Sequence, residues 1–340
     1  MVSAVRDTRL IVATALVVLA LISGCGGQPE QQAARPSVSA ASAAPETRTP
    51  APAPATAAAV GGAGSYQTGE RHMTFTEAAR TGPAGQHLGQ RTLVTQIWYP
   101  RPRGPAGPFP LLLFAPGFRQ CPRAYSHLLR AWASSGYVVA AVNFPRTSCH
   151  LGAEAYEADL VNQPHDMSYV LTRLLALSAR PGDPFSGLLD PHEIGAAGQS
   201  DGGDTVAALA ANTCCTDRRL KAVAVLSGAE WPPMPGRYFP GGQPPMLFTQ
   251  GSADTINPPW MSLQLYRADA GSARYYLDLF GASHLSPYEG TNRVERLLAQ
   301  VTLAFFDRYV LGQADAAETM TRDGNVAGTA ALVSGGQSPP

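Results

Sequence analysis

The segment Gly198-Gln199-Ser200-Asp201-Gly202-Gly203 constrains this chain more than any other stretch. It stands between a β-rich run at residues 193–197 and a helical pattern of small residues at 204–212, so strand must pass to helix through one tight turn. A turn that sharp presses backbone against backbone, and Gly198 and Gly202 sit where any Cβ would collide. Strand handed directly to helix is also the unit from which mostly parallel sheets are built. The rest of the chain repeats it. Further β-rich runs at 111–115, 137–143, 222–226, 246–250 and 273–279 alternate with helical patterns at 123–135, 164–178, 258–270 and 292–310. Alternating segments near 71–77 and 91–99 precede them and read as an antiparallel hairpin at a sheet edge. Pro232, Pro233, Pro235, Pro240, Pro244 and Pro245 interrupt the stretch after Leu226, which predicts a loop there and no large lid.

The 340 residues suit one substantial domain with tails. Residues 1–24 read as a leader: Arg6 and Arg9 open it, an apolar run fills 10–22, and Ile22-Ser23-Gly24-Cys25 closes it. That closing pattern resembles a bacterial lipobox, which implies a lipid anchor on Cys25, export, and attachment to the outer face of the cell membrane with possible release. Residues 25–65 are rich in Ala, Pro, Ser and Thr and predict a disordered linker, 66–311 the folded domain, and 312–340 a disordered tail. Lys+Arg and Asp+Glu both number 25, so no net field recruits nucleic acid. Export would place Cys121, Cys149, Cys214 and Cys215 where disulfides survive; three pairings are open to them. Cys121 and Cys149 follow two strands expected to be neighbours, which favours their pairing, and Cys214–Cys215 would then be a vicinal bridge.

Ser200 is the candidate nucleophile. A serine hydroxyl reacts only when held clear of the backbone and hydrogen-bonded to a base, and a strand-to-helix turn presents it in that way, with the helix N-terminus aimed at the developing oxyanion. The base is expected after the last strand, where Gly281-Ala282-Ser283-His284 supplies His284; His72, His87, His127, His150, His165 and His192 all precede Ser200. The acid is expected after the run 246–250, where Asp254 stands; the competing reading of Asp254 is a helix N-cap ahead of Pro258. Backbone N–H groups of Asp201 and Phe118 are the expected oxyanion donors, the latter leaving its strand through Pro116-Gly117. Trp231, Tyr238, Phe239 and Tyr288 fall on expected mouth loops as candidate pocket residues. His165 and Asp166 are assigned to capping or local structure. No metal or cofactor is expected, because no His/Cys/carboxylate cluster has ligand spacing.

Together, residues 110–118, 198–203, Asp254-Thr255-Ile256 and 279–287 resemble the α/β-hydrolase fold. Within it they resemble the branch that holds bacterial cutinases (polyester hydrolases), dienelactone hydrolases, chlorophyllases and platelet-activating-factor acetylhydrolase-like esterases. The resemblance implies a serine esterase acting as a monomer on small or polymeric esters, with Ser200, Asp254 and His284 as triad and Phe118 as oxyanion donor. Asp201 departs from the methionine usual there in cutinases, and Cys214-Cys215 lies outside their pattern. A peptidase or amidase on the same triad, and an envelope binding protein without turnover, are the alternative readings.

Overall fold

The computed structural model describes residues 65–104 and 106–339. The leader, Cys25 and nearly all of the linker lie outside the described residues. In chain order the elements are β1 (Gln67–Glu77), β2 (Arg80–Thr81), β3 (His87–Leu88), β4 (Arg91–Arg101), β5 (Phe109–Ala115), α1 (Ser126–Ser134), β6 (Val138–Asn143), α2 (Gln163–Ser178), β7 (Leu189–Gln199), α3 (Asp201–Ala211) and β8 (Ala222–Leu226). They continue with β9 (Met246–Gly251), α4 (Pro259–Ala268), β10 (Arg274–Leu279), α5 (Arg293–Tyr309), α6 (Ala316–Gly324) and β11 (Ala330–Ser334).

Nine strands form one sheet in the order β1-β4-β6-β5-β7-β8-β9-β10-β11. The stretch from β6 to β10 is parallel. β1 and β4 run antiparallel at one edge, β11 at the other. This is an α/β fold with a mixed, mostly parallel sheet and no closed barrel. β2 and β3 form a short ribbon within the β1–β4 connection.

Period-two alternation decides which layer each residue joins. In β5, Leu111 and Leu113 join Met167, Val170, Leu209 and Leu265 from α2, α3 and α4. Leu112 and Phe114 turn the other way, against Trp132, Leu298, Phe305, Phe306 and Met320 from α1, α5 and α6. Every residue of β5 is buried, as expected of a strand covered on both faces. The stretch between β8 and β9 holds no helix, as its prolines predict. Among the described residues no helix is long and apolar enough to cross a membrane.

The expectation of a disordered tail over 312–340 is overturned. α6 buries Ala316 and Met320, and β11 pairs with β10 from Leu279↔Ala330 to Tyr275↔Ser334. The pairing joins backbone N–H and C=O groups along the free edge of β10, so a short strand, Ala-Ala-Leu-Val-Ser, is enough to cover that edge.

Asp166 caps no helix. It is fully buried and holds the Arg91 guanidinium, with Nε to Oδ1 at 2.8 Å, while Asp159 takes the same fork at 3.0 and 2.7 Å. Arg80 adds a contact to Asp166 at 3.2 Å. His165, one residue earlier, is exposed and meets Glu77 at 2.6 Å. Burial pushes the Asp166 carboxyl up to about 6 even though Arg91 pulls it down. Removing the cation would strand two carboxylates in the interior. Arg91→Met is therefore expected to cost on the order of 3–5 kcal/mol in denaturant unfolding. Arg91→Lys should recover only part of this, because an ammonium lacks the planar fork.

Candidate active site

β7 ends at Gln199 and α3 begins at Asp201, leaving Ser200 alone to make the turn, at φ 56° and ψ −126°. A positive φ on a residue with a side chain costs of order 1–3 kcal/mol and persists only when its surroundings dictate it. Here they do. The Ser200 N–H donates to the Leu226 carbonyl at 2.9 Å, and the Ser200 carbonyl accepts from Asp204 at 3.0 Å. A Cβ on Gly198 would land on the Gly202 carbonyl oxygen, and one on Gly202 on the Ala115 carbonyl oxygen.

Three parallel strands deliver three side chains to the same end of the sheet: β7 presents Ser200, the loop after β9 presents Asp254, and the loop after β10 presents His284. His284 Nε2 lies 2.9 Å from Ser200 Oγ, and its Nδ1 lies 2.7 Å from Asp254 Oδ2. Among the described residues His284 is the histidine that meets Ser200. Ser200 is half-buried, whereas His284 and Asp254 are 5% and 3% exposed.

Asp254 is held by more than the imidazole. Its Oδ1 accepts the Ile256 and Asn257 N–H groups, each at 2.9 Å, and Oδ2 accepts Gln250 Nε2 at 3.0 Å. The N-cap of α4 is Pro258, so the capping alternative for Asp254 does not hold. Asn257 in turn donates through Nδ2 to the Ser227 carbonyl at 2.8 Å. Gln250 and Asn257 were not singled out in the sequence. Their closeness to Asp254 along the chain was the available signal, but their orientation depends on the folded loop.

The turn after β5 runs beside Ser200, since Ala115 pairs with Gly198 across β5 and β7. Phe118 is half-buried with the Arg119 guanidinium 5.1 Å from its ring centroid, and its N–H donates to no acceptor among the described residues. The Cys121–Cys149 disulfide follows within three residues and ties this turn to the segment after β6; Arg119 N–H to the Thr147 carbonyl, at 2.8 Å, makes a second tie. Cys214 and Cys215 form the vicinal bridge. Among the described residues Cys121, Cys149 and His150 are the group of possible metal ligands that converges, and the disulfide occupies both sulfurs.

Asp201 is 8% exposed, and its Oδ2 has no hydrogen-bond partner. Burial, reinforced by the Glu157 charge, pushes its carboxyl up to about 7 against the pull of its own backbone N–H. An acid beside the expected oxyanion position is thereby kept partly neutral near neutral pH.

The pocket expectations need correction. Tyr288 is fully buried, with its hydroxyl bonded to Ser227 Oγ at 2.8 Å and Thr249 Oγ1 at 3.1 Å, so it lines no opening. Tyr238 and Phe239 pair with Asn212 and Ala211 at the C-terminal end of α3. That end lies about 15 Å along the helix from Ser200 at 1.5 Å per residue. Trp231 is half-buried against Leu160, Val161, Ala208 and Met234. The large apolar groups exposed on the site loops are instead Ile256 (63%), Trp260 (59%) and Phe280 (36%). They stand two residues after Asp254, at the start of α4, and at the end of β10.

Gly198→Ala should prevent folding to a soluble product, because its Cβ meets rigid backbone; circular dichroism and expression yield check this. Asp201→Asn tests the buried acid. A carboxyl whose folded pKa is raised stabilises the fold below its unfolded value, near 3.8, and that stability is lost as pH rises to about 7. Relative to the parent chain, Asp201→Asn should therefore gain stability from pH 4 to pH 8, by a few kcal/mol at roughly 1.4 kcal/mol per pKa unit. Urea unfolding across that range measures it.

No protein-family model matches this chain, and no curated protein matches it.

Proposed function

We propose that the chain is a serine hydrolase that cleaves carboxylic esters through an acyl-enzyme. The observation that carries this reading is the continuous Asp254–His284–Ser200 contact, at 2.7 and 2.9 Å, on a nucleophile forced to positive φ. In the proposed reaction His284 Nε2 takes the Ser200 Oγ proton as the oxygen attacks the ester carbonyl. Asp254 orients the ring through Nδ1–H and stabilises the imidazolium. The Phe118 and Asp201 N–H groups donate to the oxyanion. The protonated imidazole then gives its proton to the departing alkoxide, and water, deprotonated by the same ring, releases the acid.

The likeness to cutinase-type α/β-hydrolases belongs to this proposal, as do export and anchoring through Cys25. Two disulfides fit an oxidising compartment. Exposed Ile256 and Trp260 beside the acid loop favour an apolar ester, polymeric or lipid-derived, over a strongly charged one.

Hydrolysis of p-nitrophenyl esters from acetate to palmitate, by the chain from Tyr66 onward, is the direct test. Turnover should fall by about 10⁶-fold in Ser200→Ala and by about 10⁴-fold in Asp254→Asn, while thermal stability stays close to the parent's. Comparable rates on matched amides would move the reading to an amidase. A folded parent chain that neither turns over esters nor reacts with a fluorophosphonate at Ser200 would leave a binding protein.

A further inference from the structure

Behind the triad runs a second hydrogen-bonded chain, wholly buried. The Gly117 N–H donates to the Tyr125 hydroxyl oxygen at 3.2 Å, and the Tyr125 O–H donates to Gln199 Oε1 at 2.8 Å. Gln199 Nε2 then donates to the His284 carbonyl at 3.1 Å and lies 3.4 Å from His284 Nε2. Gln199 and Tyr125 are both 0% exposed.

The polarity of this chain is forced from its two ends. A backbone N–H can only donate and a backbone carbonyl can only accept. With Gly117 giving at one end and His284 receiving at the other, Tyr125 must pass its own proton to Gln199, and the carboxamide must face its nitrogen to the histidine. A flipped amide would set two oxygens against each other at the His284 carbonyl and two donors at Tyr125. Burial pushes the Tyr125 hydroxyl well above its ordinary pKa, so it remains a donor throughout the accessible pH range. The amide joins the Tyr125 segment and the His284 loop by hydrogen bonds, beside Ser200, its own neighbour in sequence.

We propose that Gln199 is a positioning residue that couples the oxyanion turn to the base: through Tyr125 it holds the Gly117–Phe118 turn, and directly it holds the main chain of His284. This rests on the hydrolase reading above. It goes beyond that reading by assigning the residue before the nucleophile, and a tyrosine from the turn after Cys121, to the accuracy of the site. Neither touches substrate in the proposed reaction.

The test is steady-state kinetics on a p-nitrophenyl ester, with the rate of fluorophosphonate labelling of Ser200, for Gln199→Leu, Tyr125→Phe and the double variant. Displacing a catalytic group by about 1 Å can cost on the order of 10²-fold. Gln199→Leu should lower kcat and the labelling rate by about 10–100-fold, with KM held within about threefold. Tyr125→Phe, which removes one hydroxyl and keeps the ring's packing, should lower kcat by roughly 5–10-fold. The double variant should be no slower than Gln199→Leu alone, since both substitutions cut one chain. Losses that multiply, or a Gln199→Leu kcat within threefold of the parent's, would overturn the coupling while the hydrolase reading stands. If Gln199→Leu fails to fold, Tyr125→Phe decides by itself, and an unchanged kcat overturns the proposal. A parent chain that neither turns over nor labels overturns the hydrolase reading and the coupling with it.

Discussion

Ser200 occupies a backbone conformation that its own side chain disfavours, and the middle of the sheet is arranged so that it has no other. Gly198 and Gly202 let the carbonyls of Gly202 and Ala115 close in on the turn. The Leu226 carbonyl holds the Ser200 N–H from the neighbouring strand. These contacts come from β5, β7, β8 and α3 at once, so the turn can relax only if the sheet itself opens. The hydroxyl is consequently presented at a set height above the strand ends, and a loop from β9 and another from β10 need only bring an acid and an imidazole to that height.

The electrostatics around the turn divide into two kinds of carboxylate. Asp254 is buried but surrounded by donors: two backbone N–H groups, the Gln250 amide and the His284 ring. Asp201 is buried beside the same serine with one oxygen unpartnered, and burial raises it to about 7. Both Asp254 oxygens are hydrogen-bonded, whereas burial without such partners drives the Asp201 carboxyl toward neutrality. Similar depth with opposite hydrogen bonding separates the two.

How much of this was legible in the chain differs from element to element for physical reasons. β5 could be read as a doubly covered strand because every residue from Phe109 to Ala115 is apolar. Ser200, Asp254 and His284 could be read as a group because each follows a β-rich run, and the structure brings the three into contact. The tail could not: its strand depends on the free edge of β10, and nothing local in Ala330–Ser334 announces that edge. Aromatic residues on loops were equally mute about direction. Tyr288 turned inward to Ser227 and Thr249, while Tyr238 and Phe239 went to the far end of α3.

By itself the sequence determined the alternation of strands and helices, the tight turn at Ser200 and the identity of the three side chains that follow strand ends, because periodicity and glycine placement are local properties of a chain. Tertiary structure alone decided that Arg91 binds Asp159 and Asp166, and that Gln199 reaches Tyr125 on one side and His284 on the other. Those pairings join residues from 68 to 85 positions apart. Hydrogen bonds of that span have no periodicity to betray them; they exist because strand register, set by the packing of two helical layers, carries distant atoms to within about 3 Å.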